Sequence, residues 1–186
     1  MTILYILSGV GAFVLLYIVV KYNGYISLRN RATNAWKQID VQLKYRHDVI
    51  PNLVNTVKGY MKFEQTTLEK VIQARNEAVR ATGVSDTVAK ENVLGQAMVN
   101  LRAVMEKYPD LKSDQHVRDL MEDLRSTENK LAFSRQLYND EATKFNTSLQ
   151  KFPGNIIANG FHFQAAELFE IQDSSERAVP KVDLGF

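Results

Sequence analysis

The sequence contains no cysteine. That absence excludes disulfides, thiolate metal sites, a cysteine nucleophile and a lipidated N-terminal cysteine. Proline is scarce, four in 186 residues, and glycine stands at nine, so collagen-like and low-complexity readings are excluded. Charge of either sign is missing from Met1 to Val20; all 23 basic and 21 acidic residues lie beyond it. The net charge of +2 is therefore an average over two unlike pieces, an apolar head and a polar body. A chain of this length makes a single folded body.

The head, Ile3 to Val20, reads ILYILSGVGAFVLLYIVV. As a helix rising about 1.5 Å per residue it spans roughly 27 Å, close to the hydrocarbon thickness of a bilayer. Ile3, Leu7, Phe13, Leu16 and Val20 represent the anchor along its length. Tyr5 and Tyr17 near its ends, with Tyr22 and Tyr25 beyond, suit an interfacial aromatic belt. A cleaved signal peptide needs a basic leading segment and small residues at the cleavage site. Met1-Thr2 and Ile18-Val19-Val20-Lys21 supply neither, so the reading is a retained membrane anchor. A core helix normally carries a polar stripe, and this run has none. Lys21, Arg29, Arg31 and Lys37 all precede the first acid, Asp40. Positive charge just after the span predicts a cytoplasmic body with the N-terminus outside, and it places Lys21, Arg29 and Arg31 near the headgroups.

Beyond Tyr25 the pattern is helical. Trp36, Ile39, Leu43, Arg46, Ile50, Leu53, Val57 and Tyr60 are spaced alternately three and four apart. Pro51 lies within this stripe and predicts a kink or a short break near His47 to Ile50. A second segment covers Glu64 to Ala81, followed by a loop over Thr82 to Asp86, with Ser85 or Asp86 as cap. Leu94, Met98, Leu101, Val104, Met105 and Tyr108 mark a third helix, ended by Tyr108-Pro109. Ser113 or Asp114 caps the longest one, about Gln115 to Lys151, ended by Phe152-Pro153-Gly154. Phe161, Phe163, Leu168, Phe169 and Ile171 suggest a short final amphipathic helix. No alternating β-branched run or hairpin turn is present. The expected fold is all-α: one N-terminal transmembrane helix, then an elongated antiparallel bundle of long helices. The organisation is an anchor over 1–24, a bundle over 25–172 and an irregular tail over 173–186.

Arg46, Glu128 and Arg135 occupy core-phase positions. Unpaired charge in a core is costly, so one reading pairs Arg46 with Glu128 and offers Asp48 or Asp40 to Arg135. The other lets these long side chains reach solvent from the core edge. No catalytic constellation is present. His47, His116 and His162 are far apart, and a lone helical histidine reads as a polar surface residue. No nucleotide or phosphate loop, nucleophile elbow or calcium loop occurs. The basic residues form no nucleic-acid patch. No metal, cofactor or small-molecule ligand is indicated.

From Ala35 to Glu64, AWKQIDVQLKYRHDVIPNLVNTVKGYMKFE resembles the signature of the LemA family of bacterial membrane proteins. The resemblance extends through Trp36, Asp40, Arg46, Pro51, Asn52, Gly59 and Tyr60. It continues through Tyr108-Pro109-Asp110, Thr127-Glu128-Asn129, Arg135, Tyr138-Asn139, Phe145-Asn146 and Phe152-Pro153, to Gly160-Phe161 and Pro180-Lys181-Val182. It departs over Phe163 to Glu170, where an acidic, aromatic pattern is expected. The resemblance implies one anchor, a helical body usually taken as cytoplasmic, and no established catalysis. Pro51 then shapes the first helix, and Gly59 permits a close helix approach. Asn52, Asn129, Asn139 and Asn146 are poor helix formers, so they serve hydrogen bonds within the bundle or between subunits. The function expected is a non-enzymatic anchored scaffold that self-associates or binds a partner membrane protein. A membrane-linked sensor or signalling adaptor is the alternative.

Overall fold

The computed structural model describes residues Met1 to Phe169; the expected tail over 173–186, Ile171 and the Pro180-Lys181-Val182 match lie outside them. The described residues are helical with no strand. Helix α1 runs from Thr2 to Lys58 without interruption. At about 1.5 Å per residue it is roughly 85 Å long. The boundary drawn at residue 24 falls inside it.

Of the kink or short break expected near Pro51, the break is absent: α1 continues through it. A proline lacks the N–H that would bond the carbonyl four residues earlier, here His47. Arg75 supplies that donor from another helix: its Nε bonds the His47 carbonyl oxygen at 2.9 Å.

Helix α2 (Gln65–Val79) and helix α3 (Gly83–Met105) form a hairpin against the outer half of α1. The expected loop over Thr82 to Asp86 is shorter than foreseen, because α3 begins at Gly83, where φ is +77°. Thr82 is the N-cap, and Asp86 reaches back to accept from the Thr82 N–H at 2.9 Å. A single-turn helix, α4 (Pro109–Ser113), then carries proline in its first turn, where no N–H is needed. Helix α5 (Gln115–Gln150) returns antiparallel along α1. Its N-cap is Asp114, one of the two residues expected, whose carboxylate accepts from His116 N and Val117 N. Gly59 does not mediate a close approach: nothing lies near the position its Cβ would take, and it simply ends α1.

The core changes character along the bundle. In the outer half, Ile50, Leu53 and Val57 meet Val71, Leu94, Met98, Leu101 and Leu124, contributed by four helices. In the inner half α1 and α5 run side by side, with Ile39 and Leu43 against Leu131, Tyr138 and Ala142, and the first turns of α3 add Val84 and Val88. A further element fills the space there, and it is not the amphipathic helix expected. Helix α6 is Gly154–Gly160, and His162, at φ 56°, turns the chain into a non-helical strap over 163–169.

Three side chains of α5 hold the strap. Asn146 donates to the Ala166 carbonyl and accepts from the Ala166 N–H, both at 2.8 Å. Asn139 does the same to Phe169, at 3.0 and 2.7 Å. Tyr138 donates to the Glu167 carbonyl at 2.6 Å. Seven helical residues advance about 10.5 Å, and three extended residues about 10 Å, so the two clamps share one register. Asn139 and Asn146 thus bond within the chain, whereas Asn52 and Asn129 are exposed.

Candidate functional site: a buried charge cluster and an exposed apolar span

At the middle of the bundle α1, α3 and α5 converge on charged side chains. Arg46 on α1 is 6% exposed and Glu91 on α3 is 2% exposed. Arg46 Nη1 donates to Glu91 Oε2 at 2.8 Å. His47 Nε2 contacts the other oxygen, Glu91 Oε1, at 2.6 Å. Both oxygens of one buried carboxylate are therefore satisfied by neighbouring residues of α1. Arg46 Nη2 also lies 3.7 Å from Glu128 Oε1 on α5, and Arg102 of α3 donates to that same oxygen at 3.0 Å. Removing one partner of a buried ion pair costs about 3–5 kcal/mol, because the other charge is stranded.

The structure brings Arg46 and Glu128 together as expected but makes Glu91, unforeseen from the sequence, the hub. A signal existed: Glu91 sits three residues before Leu94 and continues the spacing of Leu94, Met98, Leu101 and Met105. His47, read as a surface histidine, is buried here. Arg135 finds neither Asp40 nor Asp48. Asp48 bonds Lys44 at 2.7 Å and lies 4.0 Å from Arg75, and Asp40 is exposed. The Arg135 guanidinium instead lies over the Phe169 ring at 4.4 Å, a cation–π contact with the strap. Burial, reinforced by the positive charge of Arg46, lowers the Arg135 pKa, and Glu91 and Glu128 oppose that shift. The Nε atoms of Arg46, Arg102 and Arg135 are buried with no hydrogen-bond partner among the described residues. The three arginines line an open cavity of about 480 Å³ together with Glu91 and Glu128.

The remaining motif residues are distributed along the bundle. Trp36 packs edge-on against Tyr138, ring centroids 5.2 Å apart. Tyr60, just past α1, donates to Asp114 at 2.8 Å and so ties the end of α1 to the cap of α5. Tyr108 and Pro109 start α4, Pro153 precedes α6, and Asn52 and Asn129 touch solvent. Among the described residues no group of three or more His, Asp or Glu is placed to hold a metal ion.

The other distinctive surface is the first third of α1. It contains the one stretch among the described residues long and apolar enough to cross a membrane. None of that stretch is buried against the body, which excludes a core helix. Ile3, Leu7, Phe13, Leu16 and Val20 are all 60% or more exposed. Lys21 is half-buried, and Arg29 and Arg31 are exposed just beyond it. This arrangement fits a membrane-anchored protein.

Residues 35–184 match the profile of the LemA family. The Protein LemA of Metamycoplasma hominis is 27% identical, the match covering 94% of this chain and 83% of that protein. The magnetosome protein MamQ 2 of Paramagnetospirillum magneticum is 22% identical, over 87% of this chain and 69% of its own. The magnetosome protein MamQ of Magnetospirillum gryphiswaldense is 20% identical over the same shares. None of these names specifies a reaction.

Proposed function

The chain belongs to the LemA family, and we propose that it is a non-enzymatic, single-pass membrane scaffold whose helical body self-associates or binds a partner protein. The observation that carries this reading is Phe63. It sits 95% exposed in the turn between α1 and α2. Lys58, a few residues before it, lies about 57 Å beyond Val20 along α1. Lipid cannot cover an apolar side chain held that far from the bilayer, so protein is the fitting partner. Phe133 on α5, at 69%, and Val41 on α1, at 63%, add exposed apolar surface farther down. They are level with one another, since Trp36 against Tyr138 and Arg46 near Glu128 fix the antiparallel register. Burying one such phenylalanine contributes roughly 1.5–3 kcal/mol. Lys21, Arg29, Arg31 and Lys37 favour a cytoplasmic body with the N-terminus outside.

The test is site-specific photo-crosslinking in intact cells. A crosslinker in place of Phe63 or Phe133 yields discrete adducts of this chain or one partner. One in place of the exposed Glu122 does not. Equal, diffuse labelling at all three positions would contradict the scaffold.

A sensor or signalling adaptor is the second reading. The cavity of about 480 Å³ beside the charge cluster, lined by Arg46, Arg102 and Arg135, favours it. An anionic ligand there would bear on three helices at once. Phosphate and small carboxylates that leave the melting temperature unchanged would remove this alternative.

A further inference from the structure

The end of the body nearest the apolar span exposes large side chains at a corner where a water-soluble fold has no use for them. Phe152, between α5 and α6, is 81% exposed; Ile156 on α6 is 64% and Phe161 is 54% exposed. Their height along α1 is fixed by contacts. The ring of Phe161 lies 4.9 Å from that of Tyr22, and Gly154 lies directly against the Tyr25 hydroxyl. A Cβ at Gly154 would also come within 3.9 Å of the Lys21 side chain, so α6 is pressed onto α1 at residues 21 to 25.

Tyr22 and Tyr25 stand only about 3 and 8 Å beyond Val20. The headgroup layer on one side of a bilayer is roughly 5–8 Å thick. If α1 spans the membrane over residues 3–20, this corner is therefore held at headgroup depth. Its make-up suits that depth. Phe152, Ile156, Phe161 and Tyr22 offer apolar and aromatic surface, and Lys21, Arg29 and Lys151 supply positive charge around it.

We propose that the α5–α6 corner is a lipid-contacting foot: Phe152, Ile156 and Phe161 enter the interfacial layer of the leaflet from which α1 emerges. The foot gives the body a second attachment beside the anchor and fixes its tilt. It also brings the start of the strap to the bilayer surface, because Phe163 follows Phe161 closely and packs on Tyr25, ring centroids 5.4 Å apart.

The proposal rests on the span reading, and the experiment separates the two. The chain has no cysteine, so single-cysteine spin labels need no background substitutions. Full-length Leu16→Cys, Phe152→Cys, Ile156→Cys and, as the water-exposed reference on α5, Glu122→Cys are labelled and reconstituted in vesicles of phosphatidylethanolamine and phosphatidylglycerol. Collision with oxygen, which favours lipid, is compared with collision with a water-soluble nickel chelate. The expected oxygen-to-nickel ratio is highest at Leu16→Cys and lowest at Glu122→Cys. At both Phe152→Cys and Ile156→Cys it lies several-fold above Glu122→Cys. If those two match Glu122→Cys while Leu16→Cys reports lipid, the foot is wrong and the anchor stands. If Leu16→Cys also reports water, both are wrong.

Discussion

Arg75 bonds the carbonyl of His47 that Pro51 leaves without a helical donor. This one bond lets a proline sit inside a 57-residue helix while α2 is drawn against it. Arg75→Ala is expected to destabilise the body by about 1–2 kcal/mol, since a half-buried acceptor loses a charged donor. In a Pro51→Ala background, where residue 51 regains its own N–H, the same change should cost much less. A double-mutant cycle by chemical denaturation measures this difference; equal costs in the two backgrounds would contradict the role given to Arg75.

The strap depends on Asn139 and Asn146 in the same direct way. Each bonds a backbone N–H and C=O of the strap, so each Asn→Ala variant loses two hydrogen bonds, about 1–3 kcal/mol of local docking. Hydrogen exchange should quicken at the Ala166 and Phe169 amides while the α5 interior stays protected. Unchanged exchange at Ala166 in Asn146→Ala would show that the clamp does not hold the strap.

Glu91 and Glu128 are expected to differ sharply. Glu91 is sealed and satisfies both Arg46 and His47, so Glu91→Ala should cost about 3–5 kcal/mol. The Glu128 side chain is one-third exposed and its pairs face solvent, so Glu128→Ala should cost about 1 kcal/mol or less. Thermal melts of both variants give the order; the reverse order would misplace the hub.

The Tyr60–Asp114 bond has a two-sided pH signature. The hydrogen bond from Tyr60, aided by the Val117 N–H, lowers the Asp114 pKa from the ordinary 3.8. Its contribution is present above that value and is lost as pH falls through the lowered one. The same bond, with the charge of Asp114, raises the Tyr60 pKa above 10.0. That contribution is present below 10.0 and is lost as pH rises through the raised value. The melting-temperature difference between wild type and Tyr60→Phe should therefore be flat across neutral pH and shrink at both extremes. A difference independent of pH at both ends would exclude the bond.

How far the sequence revealed these features depended on where each partner lay. The stripes of α1 and α5 are regular, so the antiparallel pair, its core and the Asp114 cap were legible. Arg46 and Glu128 stood out as charges in core phase. Glu91 was hidden because α3 is apolar on several sides, and only extension of the Leu94–Met98 spacing backwards marks it. Pro51 pointed to a kink or a short break, and that no break occurs was not legible because its remedy, Arg75, lies in a different helix. Phe161, Leu168 and Ile171 fall at helical spacings and suggest a helix over the strap, whereas Phe161, Phe163 and Phe169 lie an even number of residues apart and fit an extended chain. The mid-helix asparagines were the clue, since such poor helix formers need a partner outside the helix.

The scaffold reading is tested most directly by the mass of the full-length protein in lipid nanodiscs formed straight from its own membranes. The reading predicts particles whose protein mass is a multiple of 21.2 kDa, or that of this chain with one defined partner. It also predicts that Phe63→Ser combined with Phe133→Ser shifts them to the single-chain mass. A lone 21.2 kDa chain in every particle, with wild type and variant alike, would contradict it.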